Sequence, residues 1–190
     1  MEYINSLVVI VGWIALVIAI AVICRIRWPN QRELSRKIVH IGTGQVIPLA
    51  WWLGIPADWA IPVAILITFL ILINHRWRLL PAVEDVNRRS YGTVAYGLAI
   101  TLLLVVFWPE NAVAVCAGVL VMAFGDGFAG LIGRKLNSAN WMIWGQRKSF
   151  AGTLTMAVTT LILLFTLNVI VDASFHPLRI FAVTGLAVGL

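Results

Sequence analysis

The chain has 190 residues, of which 61% are hydrophobic and only 12% charged, with a mean hydropathy of +0.95. Soluble domains carry roughly 25% charged residues and disorder needs low hydrophobicity, so the composition excludes both. The net charge of +6 falls on short segments between apolar runs. They are too small for a nucleic-acid face, so nucleic acid is not an expected partner, and membrane lipids are.

A spanning helix takes about 20 residues, which leaves room for six or seven spans and no separate soluble domain. The first apolar run is 5–24. It is preceded by Glu2 alone, with no basic region and no A-x-A site, so a retained helix is expected rather than a cleaved signal. Further runs follow at 38–53, 59–73, 92–108, 112–133 and 150–171. The run 180–190 is too short to span, and the expectation is that the chain stops inside a seventh helix. Pro29, Pro56, Pro62, Pro81, Pro109 and Pro177 lie at or near run ends, where a missing amide costs least. Cys24 and Cys116 lie within apolar runs and read as small buried residues. The expected fold is an all-α integral membrane bundle.

Charge sets an orientation. Arg25, Arg27, Arg32, Arg36 and Lys37 follow the first run, and Arg76, Arg78, Arg88 and Arg89 follow the third. Arg134, Lys135, Arg147 and Lys148 follow the fifth, so of the 14 basic residues Arg179 alone lies on the other side, with Glu2, Asp58, Glu110 and Asp172. The positive-inside rule then predicts an outside N-terminus and a cytoplasmic face made of the longer, polar loops. Chemistry is expected on that face.

Four polar stretches stand out. In Arg36-Lys37-Ile38-Val39-His40, positions 36, 37 and 40 share one helical face. His40 reads as a base, a phosphate ligand or a satisfied core histidine, and the two cations as phosphate contacts or a membrane anchor. Next come Arg88-Arg89-Ser90-Tyr91-Gly92-Thr93 and Tyr96, behind Glu84 and Asp85. Those two acids read as metal ligands or as surface partners of the arginines. In Phe124-Gly125-Asp126-Gly127-Phe128-Ala129-Gly130, Asp126 lies fourteen residues past Ala112, about 21 Å into an apolar layer about 30 Å thick. A carboxylate there usually faces a cavity and works; it reads as a Mg²⁺ ligand, or as the cap of a new helix turn. The glycine spacing also fits G-x-G-x-x-G, but it follows a membrane helix rather than a strand, so dinucleotide binding is rejected. Finally Gly145-Gln146-Arg147-Lys148-Ser149-Phe150-Ala151-Gly152-Thr153 opens a long apolar helix. Cations and amides at a helix start form an anion site; the alternative is a basic anchor with a serine cap. Thr43, Gly118, Gly185 and Gly189 need only helix packing.

Together, Arg36-Lys37-x-x-His40, Ser90-Tyr91-Gly92-Thr93 with Tyr96, Gly125-Asp126-Gly127-x-Ala129 through Gly133-Arg134, and Lys148-Ser149-x-x-Gly152-Thr153 resemble the membrane-embedded polyprenol kinase family, and its phytol kinase branch most. The likeness covers 34–153. It implies transfer of the γ-phosphoryl group of a nucleoside triphosphate, usually CTP, to a long-chain isoprenoid alcohol such as phytol. It also implies a multi-pass protein of a plasma or thylakoid-type membrane, with 1–190 a single catalytic domain. The family's further helix and acidic, Asn-containing segment have no counterpart here, in line with an end inside a seventh helix.

The resulting assignment puts Asp126 on Mg²⁺ and makes Asp126, Lys148 and His40 the catalytic set. Arg36, Lys37, Arg89, Ser90, Gly92, Gly125, Gly127, Arg134, Arg147, Ser149, Gly152 and Thr153 would contact the nucleotide. The nearest rival is a phosphatidate cytidylyltransferase, whose His-Gly-Gly and Asp-Arg ending is missing from this sequence. A small transporter would want charges on several helices near the bilayer middle, whereas here they gather at one face.

Overall fold

The computed structural model describes residues 2–77, 91–143, 146–171 and 177–189. It divides into two compact units, Met1–Val119 and Leu120–Leu190.

In the first unit, α1 (Glu2–Arg27) is an unbroken apolar helix with Arg25 and Arg27 in its last turn, where cations favour the dipole. Val17 and Ala21 are buried, while Val8, Val11 and Ile23 are 64%, 64% and 62% exposed. An aliphatic belt of this extent is untenable in water and costs nothing in lipid. α1 packs on α2 (Arg32–Gly44). A Cβ at Gly42 would lie 2.5 Å from Val17 Cγ1, so only glycine permits the approach.

The run expected at 38–53 does not form one helix. It is split at Gln45 into α2 and α3 (Val46–Trp52). Pro48 explains the break, because it has no amide for the Gly44 carbonyl and its ring crowds that turn. Carbonyls near the break find side-chain donors instead. Trp13 Nε1 donates to Gly42 O at 2.9 Å, Thr43 Oγ1 to Val39 O at 2.8 Å, and Tyr96 OH to His40 O at 3.2 Å. Such groups are costly to leave unmet in an apolar medium. Past the end of α3, after Leu53, Gly54 adopts the left-handed φ of 66°.

α4 (Ala57–Trp77) and α5 (Gly92–Phe107) form the other pair of this unit. The Thr68 and Thr101 hydroxyls meet at 2.9 Å between them, beside Gly97. α6 (Ala112–Leu120) follows and packs Gly118 against Leu103. Cys116 is fully buried and Cys24 half-buried, both as free thiols.

In the second unit the helix begun at Ala112 continues to Lys135. It passes through a π-helical turn, Val121–Asp126, into α7 (Gly127–Lys135). An antiparallel ribbon follows, β1 (Asn140–Ile143) with β2 (Gln146–Ser149), pairing Trp141 with Lys148 and Asn140 with Ser149. It leads into α8 (Phe150–Ile170), against which α9 (Pro177–Gly189) packs. Gly185 and Gly189 face open space rather than a packed neighbour.

Among the described residues four helices are long and apolar enough to cross a membrane: Tyr3–Arg27, Ala57–Trp77, Ala112–Lys135 and Phe150–Ile170. Gly92–Phe107 and Ile180–Gly189 are apolar but shorter. The fold is that of an all-α membrane protein, with one ribbon that the helical reading of the sequence did not include.

Candidate active site

The centre of the second unit is the crossing of α7 and α8. A Cβ at Gly152 would lie 3.1 Å from Ala129 O, and one at Gly133 would lie 3.1 Å from Gly152 Cα. These glycines therefore let two backbones touch. A Cβ at Gly125 would lie 2.6 Å from Met156 Sδ, so that glycine seats the π turn on α8 in the same way. Gly125 and Gly152 are the glycines expected to approach phosphate, and their Cβ side faces the neighbouring helix. The space beside both is occupied by protein, and both residues are buried.

Asp126 is the last residue of the π turn. Its neighbours Gly125 and Gly127 are buried and its own side chain is exposed. The backbone stays helical through it (φ −67°, ψ −35°), and the carboxylate makes no cap bond to α7. The alternative role as a helix cap is thus set aside. A π turn is frequent at functional sites, and this one ends at the exposed Asp126. Sequence patterning gave no sign of the π geometry.

The start of α8 is held by its own protein. Phe150 N donates to Ala139 O at 2.9 Å, Ala151 N to Ser138 Oγ at 3.2 Å and Gly152 N to Ser149 Oγ at 3.2 Å. Ser149 Oγ in turn donates to Gly133 O at 3.2 Å. An anion at this helix terminus would find the amides of Phe150, Ala151 and Gly152 already bonded to protein. The serine cap in the alternative reading is present. What remains for an anion is side-chain charge: half-buried Lys148 on β2 and exposed Arg134 in the last turn of α7. Arg147 stands opposite Met142 in the ribbon, its side chain outside the described part. Thr153 lies in the first turn of α8, half-buried. Along α7, Asp126 and Gly133 are separated by about 10 Å of helix rise.

In the first unit, α2 carries a second polar group. Arg36 pairs with Glu33 at 2.6 Å, and Lys37 is only 6% exposed. The His40 ring lies 4.1 Å from that of Tyr96, whose hydroxyl donates to the His40 carbonyl. Sequence spacing had put Tyr96 in the motif; the contact shows it bracing His40. A similar pair, His75 and Tyr91 with ring centroids 4.7 Å apart, was not anticipated. Gly92 opens α5 and is exposed. Arg88, Arg89, Ser90, Glu84, Asp85 and Gly145 lie outside the described residues.

Among the described residues no three His, Cys, Asp or Glu side chains converge as a metal-binding group. Glu84 and Asp85, the other acids read as metal ligands, lie outside the described residues. Mg²⁺ is commonly bound by one or two carboxylates with phosphates, whereas Zn²⁺ takes three or four protein ligands.

No family model and no solved structure matches the chain. Curated proteins do. A phytol kinase of Synechocystis sp. is 41% identical over 132 residues, 69% of this chain and 57% of the relative. Phytol kinase 1, chloroplastic, of Arabidopsis thaliana is 30% identical over 140 residues, 67% of this chain and 45% of the relative. A probable phytol kinase 2 of Glycine max is 29% identical over 136 residues, covering 70% and 45%. The chain spans about half the length of the curated relatives it matches. With these relatives, and with the polar stretches held on apolar helices as described, the chain belongs to the polyprenol kinase family.

Proposed function

We propose that this protein takes part in phosphorylating a long-chain isoprenoid alcohol, phytol in the first instance, with a nucleoside triphosphate as donor and CTP as the expected one. The observation that carries this is the 41% identity to the Synechocystis phytol kinase. The exposed carboxylate of Asp126 on an otherwise apolar helix supports it.

In-line transfer requires that charge on the γ-phosphoryl group be neutralised and that a hydroxyl be held against it. Asp126 would hold Mg²⁺ with the nucleotide's phosphates, and the ion would neutralise charge developing there. Lys148, Arg147 and Arg134 supply positive side chains for the same phosphates. Ser149 acts one step back, fixing the start of α8 and with it the position of Lys148. In the first unit Arg36, Lys37 and His40 are the candidates for phosphate or hydroxyl contact, His40 being steadied by Tyr96. The prenyl tail would lie in lipid against the exposed aliphatic faces, so that only its hydroxyl reaches the polar end. Six to seven spans, an outside N-terminus and a cytoplasmic active face complete the proposal; the distribution of basic residues supports them.

The test separates kinase from cytidylyltransferase chemistry. A kinase releases CDP, and γ-labelled CTP puts label into a prenyl monophosphate. A cytidylyltransferase releases pyrophosphate and puts α-label into lipid. Label from the γ position alone is the expected result; α-label in lipid with pyrophosphate would overturn the proposal.

A further inference from the structure

Thr160 lies in the middle of α8 and is fully buried, and its Oγ1 has no hydrogen-bond partner among the described residues. Other helical threonines of this chain avoid that state. Thr155 donates to Ala151 O at 2.7 Å, Thr184 to Ile180 O at 2.8 Å and Thr43 to Val39 O, each to the carbonyl four residues back. Thr160 does not. Its hydroxyl points across to the neighbouring helix, 3.6 Å from where a Cβ of Gly125 would stand, beside Met156. An unmet hydroxyl inside an apolar bundle is a stability liability that valine, its apolar isostere, would remove.

What it points to is the π turn that carries Asp126. A π turn replaces i→i+4 bonds with i→i+5 bonds, and threonine hydroxyls commonly re-satisfy carbonyls freed by such adjustments in membrane helices. Gly125, having no side chain, lets both Met156 and the hydroxyl come close to that backbone.

We propose that Thr160 is a positioning residue for Asp126. When Asp126 holds a metal–nucleotide, the Thr160 hydroxyl donates to a backbone carbonyl of Val121–Asp126 and fixes the direction of the carboxylate. This rests on the assignment of Asp126 given above.

The experiment uses the full chain in detergent as wild type, Thr160→Val and Thr160→Ser. Thermal unfolding is followed with no addition, with Mg²⁺ alone, with Mg²⁺ and CTP, and with Mg²⁺ and ATP. Without ligand, T160V is expected to unfold at the wild-type temperature or above, because the hydroxyl has no bond to lose. With Mg²⁺ and the nucleotide that stabilises the wild type, T160V should lose more than half of the rise in Tm, and T160S should keep it. In turnover, kcat of T160V should fall roughly 10–100-fold, the scale for outer partners of a metal ligand, with KM for the alcohol unchanged. An equal ligand-induced rise in wild type and T160V would overturn the role of Thr160 alone. So would a ligand-free T160V that unfolds several degrees lower, since the hydroxyl would then be structural. No rise in the wild type with any addition would overturn the assignment of Asp126 and the role of Thr160 with it.

Discussion

A carboxylate on an apolar helix costs at least ~2.5–3.5 kcal/mol near a bilayer centre, and Asp126 offsets none of this by capping α7. In the proposed function that cost is offset by binding the metal and nucleotide. Asp126→Asn keeps the shape and removes the charge. Turnover should fall by ~100-fold or more, about 2.7 kcal/mol of transition-state stabilisation. The unfolding temperature should not fall, and a steady-state assay beside a melting curve checks both. Asp126 stood out in the sequence as a lone charge in an apolar run. Thr160 did not, because a threonine in a membrane helix usually bonds its own backbone, and only the side-chain direction shows that this one does not. His40 lay between: its motif was visible, but its support by the Tyr96 ring and hydroxyl required the fold.

Helices were mostly readable from apolar runs, since their length and hydrophobicity carry the signal. The break at Gln45 was missed, because the run around Pro48 looks continuous by hydropathy alone. The ribbon at 140–149 was missed because two strands of four residues carry too short an alternation to stand out. Gly133 and Gly152 were legible as glycines in a motif, but their use as a contact between backbones depends on the α7–α8 crossing. That contact makes a clear prediction. Gly152→Val must push against Ala129 O and Ser149 Oγ, each 3.1 Å from the added Cβ, and overpacking of this kind costs ~1–3 kcal/mol. Gly12→Ala, with nothing within 4 Å of its added Cβ, should be neutral or slightly stabilising. Paired melting curves in one detergent test the difference; equal Tm values would refute the close crossing.

For the whole molecule, basic residues and aliphatic belts argue for the same arrangement. Val8, Val11, Ile23 and Ile26 on α1, and Phe165, Val169 and Ile170 on α8, are exposed over more than half their surface. These faces need lipid. The orientation proposed above puts the basic segments inside. Single cysteines introduced at Asn30 and Asn140 should resist an impermeant thiol reagent in intact cells and react once the membrane is opened. One introduced at Glu110 should react at once. Labelling of the first two in intact cells would reverse the orientation and move the proposed site to the other face. Composition made membrane residence plain from the sequence. The grouping into two compact units was not, because it depends on which helices pack together rather than on where each begins.

Phe150, Ala151 and Gly152 are each tied by an amide to a residue of the segment 138–149. The first turn of α8 therefore acts as a key that sets the ribbon's register. A one-residue slip of β2 along β1 would turn Lys148 to the opposite face, and it would also strip acceptors from the helix behind it. The same lock makes the two ends of the ribbon unequal to inserted sequence. An extra residue between Ile143 and Gln146 leaves the key engaged and Lys148 where it was. An extra residue between Ala139 and Asn140 disengages it and carries the lysine away.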